Sequence, residues 1–275
     1  MTSLYLVAIF ALLFAWKKTR QFAIYFLPWL IFAVTYDSMR FYPNYLVNDI
    51  DVRGLYEAEK SLFGIAAQTQ AELGAIADHT QVMIPGECFK VHNCSFADLM
   101  AGMFYLCWIP VPVAFAMYLF FKKQYKWFIR FSWTFLVVNL IGFIGYYVHP
   151  AAPPWYAMNY GFEAVLNTPG NVAGLGRFDA LTGTQIFHGM YGKNANVFAA
   201  VPSLHAAYML VTTVYAVLSH KRWYTISLFA FICMGIWWTA VYSGHHYIID
   251  VSLGILTSII GILLMEKVVF KRICK

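Results

Sequence analysis

Two short stretches about forty residues apart hold the side chains best suited to chemistry: VPSLHAAY, with Pro202, Ser203 and His205, and SGHHYIIDV, with Ser243, His245, His246 and Asp250. On a helix, residues four apart such as His246 and Asp250 share one face, with Cβ atoms roughly 5–6 Å apart. A carboxylate bonded to one imidazole N–H fixes the tautomer and leaves the other nitrogen as a directed nucleophile or base. His245 projects about 100° away around the helix and cannot share that carboxylate. In VPSLH, Pro202 fits the first helical turn, where its missing N–H costs nothing. The N–H groups that follow, the Ser203 hydroxyl and the helix dipole then form a cradle for a phosphate, with His205 in the same turn to give or take a proton.

Each stretch opens an apolar run long enough for a membrane helix, where an ionisable group is costly to bury and so marks function. Taken singly, each histidine also reads as a satisfied polar residue at a helix end. The pair also admits haem ligation by facing imidazoles. Haem and zinc have equally little support, the first because both histidines sit beside an Asp and a phosphate-type cradle, the second because the chain has no H-E-x-x-H run or Cys pair.

P-S-L-H followed by H-x-x-x-D resembles the second and third signature motifs of the type 2 phosphatidic acid phosphatase superfamily, integral membrane phosphatases and phosphotransferases. HPAAPPWY (His149 to Tyr156), GLGRFD (Gly174 to Asp179) and GHHYIID are similar to the fungal inositol phosphorylceramide synthase branch. The likeness covers about residues 140–255. It implies that His246 attacks phosphorus, that Asp250 supports it and that His205 protonates the leaving group. The reaction it implies moves a phosphoinositol headgroup from phosphatidylinositol to a ceramide-type hydroxyl through a phosphohistidine, releasing diacylglycerol.

The sequence departs from the superfamily at its first, cationic motif. Lys123 to Arg130 imitates that motif's spacing, but Phe131 stands where a proline belongs. The stretch also falls at the wrong end of its span, a membrane thickness of about 30 Å from His205. HPAAPPWY occupies the motif's place and has no Lys or Arg. The cation for the phosphate is therefore open between Arg40 and Arg177, and Arg40 is equally placed to pair with Asp37. Further candidates for substrate contacts are His245 and the aromatic pair Trp155 and Tyr156, which suit the lipid headgroup level. Asn167, Asn171, Thr182, Thr184, Asn194 and Asn196 suit either a polyol headgroup or an ordinary turn-rich loop.

At 275 residues, 61% hydrophobic and only 12% charged, the chain reads as an all-α polytopic membrane bundle. Apolar spans fall at about 2–16, 21–36, 99–121, 127–148, 204–219, 223–242 and 246–265. The first meets Lys17, Lys18 and Arg20 and reads as a retained span, not a signal peptide. The net charge of +6 belongs to loops, not to a nucleic-acid surface: the loops at 17–20, 122–130 and 219–223 and the tail from 266 carry 13 of the 19 Lys and Arg. By the positive-inside rule those are cytoplasmic, and His205 and His246 face a periplasm or an organelle lumen.

The division expected is a hairpin over 1–36, an outer cap over 37–98 and a catalytic domain over 99–275. Within the cap, Lys60 to His79 reads as one or two helices lying on the membrane surface, or as a simple lid. Cys88 and Cys94, on the oxidising side, read as a disulfide or as two free thiols. The partners implied are a phospholipid donor, a lipid acceptor and the membrane, with no nucleic acid, no cofactor and no metal. The alternatives are a lipid phosphate phosphatase using water, and a transporter or scaffold, which would show inverted repeats that the sequence lacks.

This orientation is checked by single cysteines at Gly192 and Lys221, which are expected to label with an impermeant thiol reagent from opposite sides of sealed vesicles. Labelling of both from one side rejects it.

Overall fold

The computed structural model describes residues 2–192 and 196–273, so Asn194 lies outside the described residues. The chain opens with α1 (Thr2–Ala15), α2 (Arg20–Tyr25) and α3 (Leu27–Ser38). A cap follows: α4 (Gly54–Phe63), β1 (Ile65–Ala66), α5 (Gln70–Leu73), β2 (Val82–Met83) and α6 (Pro85–Val91), with β1 antiparallel to β2. Then come α7 (Ser95–Tyr105), α8 (Pro110–Phe121) and α9 (Tyr125–Val148). The outer loop carries α10 (Pro154–Tyr160), α11 (Gly176–Thr182) and α12 (Ile186–Tyr191), and the bundle closes with α13 (Leu204–Leu218), α14 (Trp223–Tyr242) and α15 (Ile248–Leu263).

Four helical stretches among the described residues are long and apolar enough to cross a membrane: Ser95–Phe121, Tyr125–Val148, Trp223–Tyr242 and Ile248–Arg272. Leu4–Ala15 and Leu204–Leu218 are shorter apolar helices. The expected run at 21–36 is divided between α2 and α3, with Pro28 in the first turn of α3. The run expected from 99 begins earlier, at Ser95, and is interrupted before Pro110, which cannot continue the hydrogen-bond ladder of α7.

α13 is the hub, packed against α8, α9, α14 and α15. Small residues allow this approach, as they do wherever helices meet in lipid. A Cβ on Gly254 would lie 2.1 Å from the Ser203 carbonyl oxygen, and one on Gly261 would lie 2.5 Å from Val138 Cγ2. Between them, Ser258 Oγ donates to the Ala207 carbonyl at 3.3 Å. At the other end of the bundle Arg130 pairs with Glu266, which also accepts from the Tyr215 hydroxyl at 2.6 Å. Arg130 therefore ties α9 to the end of the last helix.

The cap departs from expectation in one respect and decides between two readings in another. Lys60 to His79 is not one or two surface helices: α4 stops at Phe63 with Gly64 extended, the chain pairs as β1, and Thr69 and Glu72 restart a single turn through a capping box. The cap instead packs against the start of α15. Cys88 and Cys94 are also unbonded: Cys88 is half-buried within α6, Cys94 is the exposed residue capping α7, and both thiols are free. Burial, reinforced by the nearby Glu72 charge, pushes the Cys88 thiol pKa up.

Gly254→Ala is expected to destabilise the protein by roughly 1–3 kcal/mol through overpacking. Gly189→Ala, where a Cβ meets nothing within 4 Å, is expected to be near neutral. Thermal melts of the two variants in one detergent check the contrast.

Candidate active site

The start of α13 and the turn before α15 meet at one end of the bundle. Ser203 caps α13, its Oγ accepting from Ala206 N at 3.4 Å, and its own N–H donates to the Asp250 carbonyl at 2.9 Å. The Ser203 hydroxyl is thus engaged by its own helix and fully buried, not open as a phosphate cradle. Pro202 also differs from expectation: α13 begins at Leu204, and Pro202 stands before the cap, packed on Gly145.

Residues 243–246 form a turn in which Gly244 has φ +72°, a left-handed conformation suited to glycine. His246 therefore lies two residues before the first helical residue of α15, with Tyr247 extended between them. Its contact with Asp250 is made across the helix start, not along one helical face: His246 Nδ1 and Asp250 Oδ2 are 2.9 Å apart, both buried. His246 Nε2 faces His205 Nδ1 at 3.1 Å. With Nδ1 of His246 donating to the carboxylate, its Nε2 is an acceptor, so the proton in the second bond belongs to His205.

Aromatic rings wall the pair. His205 lies 4.4 Å from the Trp108 ring and is stacked 5.0 Å from Tyr105. His245 turns away from Asp250: its Nδ1 meets Ser243 Oγ at 2.9 Å and its ring packs 4.4 Å from Tyr191. Tyr105, Trp108 and Tyr191 escape sequence reasoning because nothing local links them to the histidines.

Of the two candidate cations, Arg177 is brought to this region. Its Nε donates to Asp98 Oδ1 at 2.6 Å, which also accepts from the Tyr242 hydroxyl at 2.8 Å. The guanidinium lines a cavity of about 220 Å³ with Lys90, Trp155, Asn159, Asn171 and Ser243. Arg40 pairs with Asp37 and lies over the Phe41 ring; neither Arg40 nor Asp37 lines the cavity.

The aromatic pair also departs from the headgroup-level reading. Trp155 is 5% and Tyr156 0% exposed. The Tyr156 hydroxyl is held by Glu163 O and Val165 N, so its role is in loop packing. The loop motifs clamp the catalytic turn through their backbones: Trp155 N donates to Gly244 O at 2.9 Å and Gly174 N to Ser243 O at 2.8 Å. Asp179 of GLGRFD accepts from His188 N at 2.9 Å and bonds His188 Nδ1 at 2.8 Å, closing the loop and not touching the catalytic pair.

The model of the PAP2 superfamily matches residues 87–264. The phosphoinositol dihydroceramide synthase of Bacteroides thetaiotaomicron is 58% identical over 266 residues, covering 97% of this chain and 82% of that protein. The inositol phosphorylceramide synthase catalytic subunit of Saccharomyces cerevisiae is 26% identical over 88% of this chain, and the inositol phosphorylceramide synthase of Candida albicans 26% over 92%. The chain spans only 56% and 50% of those two fungal proteins. No solved structure matches the chain.

His246→Ala and His205→Ala are each expected to remove nearly all turnover, and Asp250→Asn to lower it roughly 10²–10⁴-fold with helicity intact. Lys123→Ala should matter little. Turnover measured beside circular dichroism checks this, and retained activity in His246→Ala with loss in His245→Ala would reassign the nucleophile.

Proposed function

The chain belongs to the PAP2 superfamily, and from that premise we propose that it moves the phosphoinositol headgroup of phosphatidylinositol onto a ceramide-type hydroxyl, releasing diacylglycerol. The observation that carries the chemistry is the unbroken line from Asp250 through His246 to His205, with links of 2.9 and 3.1 Å. The donor's phosphoryl group takes the place of the link between the histidines. His246 Nε2 attacks phosphorus, a P–N bond forms and the P–O bond to diacylglycerol breaks. His205, protonated on both ring nitrogens when the donor is bound, gives its Nδ1 proton to the departing oxygen and is left as the neutral imidazole. The acceptor hydroxyl then returns a proton to His205 as its oxygen attacks phosphorus and the P–N bond breaks, so the histidines end as they began. Asp250 holds the ring orientation and offsets the positive charge that His246 carries in the intermediate.

The names of the relatives support the donor and acceptor classes. Arg177, Lys90, Asn159 and Asn171 supply the cations and amides that a phosphopolyol headgroup needs, in a cavity whose wall includes Ser243 of the catalytic turn. The aromatic enclosure supports transfer over hydrolysis, because an acyl-chain-bearing acceptor must compete with water at about 55 M, which the site has to exclude. The charge asymmetry of the loops supports an active site on the side opposite the cytoplasm.

Purified enzyme given labelled phosphatidylinositol and ceramide is expected to form diacylglycerol and a ceramide phosphoinositol in equal amounts, and neither without ceramide. Release of inositol phosphate at the same rate with and without ceramide, or preference for phosphatidic acid, would replace this reading with a phosphatase.

A further inference from the structure

We propose that Glu59, on the cap, is a positioning residue for the catalytic pair: by accepting the first two backbone N–H groups of α15, it fixes the helix start that sets His246 against Asp250. The inference rests on the assignment of those two residues above. Glu59 Oε1 accepts from Ile248 N at 2.8 Å and Oε2 from Ile249 N at 3.1 Å, across 189 and 190 residues of sequence. Tyr247, which precedes the helix, offers no side-chain acceptor, so these two donors depend on the cap. Ile248 follows His246 by two residues and Ile249 precedes Asp250 by one. A shift of this turn therefore moves both ends of the 2.9 Å bond.

The electrostatics are unusual for a structural carboxylate. Glu59 is 1% exposed, and among the described residues no basic side chain pairs with it. Its counter-charge is the positive end of α15. The charge nearest it is Asp250, and it shares the surroundings of Tyr247 with Tyr56 from α4 and Glu87 from α6, while Lys60 beside it in the chain lies over the Tyr56 ring. Lys60 is engaged by Asp78 at 2.5 Å, and Glu87 accepts from Tyr56 and from Ala77 N and Ile84 N. Burial lifts the Glu59 pKa to about 7, with the Asp250 charge adding to the rise and the two N–H bonds opposing it.

Only the carboxylate can accept from both amides; the acid form turns one oxygen into a donor facing a donor. The stability and activity effects of this titration have opposite signs. With the folded pKa above the unfolded value, the group's contribution to stability is present at low pH and is lost as pH rises through about 7. Its positioning of α15 is gained over that same window.

Glu59→Gln keeps the shape, loses one acceptor and cannot titrate. Its kcat is expected to fall about tenfold or more, the scale of one charge-assisted bond, with KM little changed, and the wild-type rise of kcat around pH 7 is expected to disappear. Hydrogen exchange in the segment 247–252 should accelerate in the variant and not elsewhere in the bundle. If Glu59→Gln fails to fold, Glu59→Asp, which retains the titrating group but retracts it, should show lowered kcat with a pH-dependent rise still present. Unchanged kcat and pH profile in a folded variant, or unchanged exchange at 247–252, would overturn the proposal. A wild-type enzyme that makes no ceramide product would overturn the transferase reading instead, and the exchange measurement would still decide the role of Glu59.

Discussion

The contact on which the site depends is the meeting of two helix starts, where the Ser203 N–H reaches the Asp250 carbonyl at 2.9 Å and Gly254 admits the Ser203 carbonyl where any Cβ would stand. This fixes α13 against α15 at one point. His205 is two residues beyond Ser203, and Asp250 is itself the acceptor, so the same backbone bond sets the separation of His205, His246 and Asp250. Buried polar groups in a membrane bundle stay buried only when they are mutually satisfied. Here both nitrogens of His246 and Nδ1 of His205 have partners, so the line from Asp250 to His205 is continuous. Substrate must supply contacts that replace the histidine–histidine bond.

The outer loops add a second layer of constraint. Backbone bonds from Trp155 and Gly174 hold the turn 243–244 from two sides. Arg177 reaches the same turn with its guanidinium already oriented by the buried Asp98 and lying 5.0 Å over the Tyr242 ring. A cation held this way requires little reordering when an anionic headgroup enters, which is the advantage of preorganised charge. HPAAPPWY and GLGRFD therefore work mainly through main chain and packing, and only Arg177 and Trp155 among their side chains reach the cavity.

What the sequence reveals is what is local. The His246 and Asp250 pairing follows from spacing, and it survives even though the helix begins after His246, because the turn brings the ring back over the first helical residues. The bundle follows from apolar runs. The 3.1 Å bond between His205 and His246, the enclosing Tyr105 and Tyr191, and the Asp98 clamp on Arg177 join residues distant in the chain, and no periodicity encodes them. The misread segment, Lys60 to His79, has a helical composition, but Gly64 and the Thr69 capping box divide it. Trp155 and Tyr156 look interfacial by type, yet the prolines before them turn the segment inward to pack on the catalytic turn and Phe198.

The cap follows one rule that the membrane domain then exploits. Glu59, Glu72 and Glu87 each use a carboxylate to receive backbone N–H groups at the start of a helix: Glu72 from Gln68 and Thr69, Glu87 from Ile84 and also from Ala77 in the preceding turn, Glu59 from α15. The same bonding has different consequences in different places. At the rim, the Gln68 N–H and then His92 draw the Glu72 pKa down to about 2, so it stays charged throughout the physiological range. At the junction with α15, burial outweighs two similar bonds and carries Glu59 to about 7. The cap's own capping box thereby keeps its charge, whereas burial raises the pKa of the carboxylate that meets the start of α15.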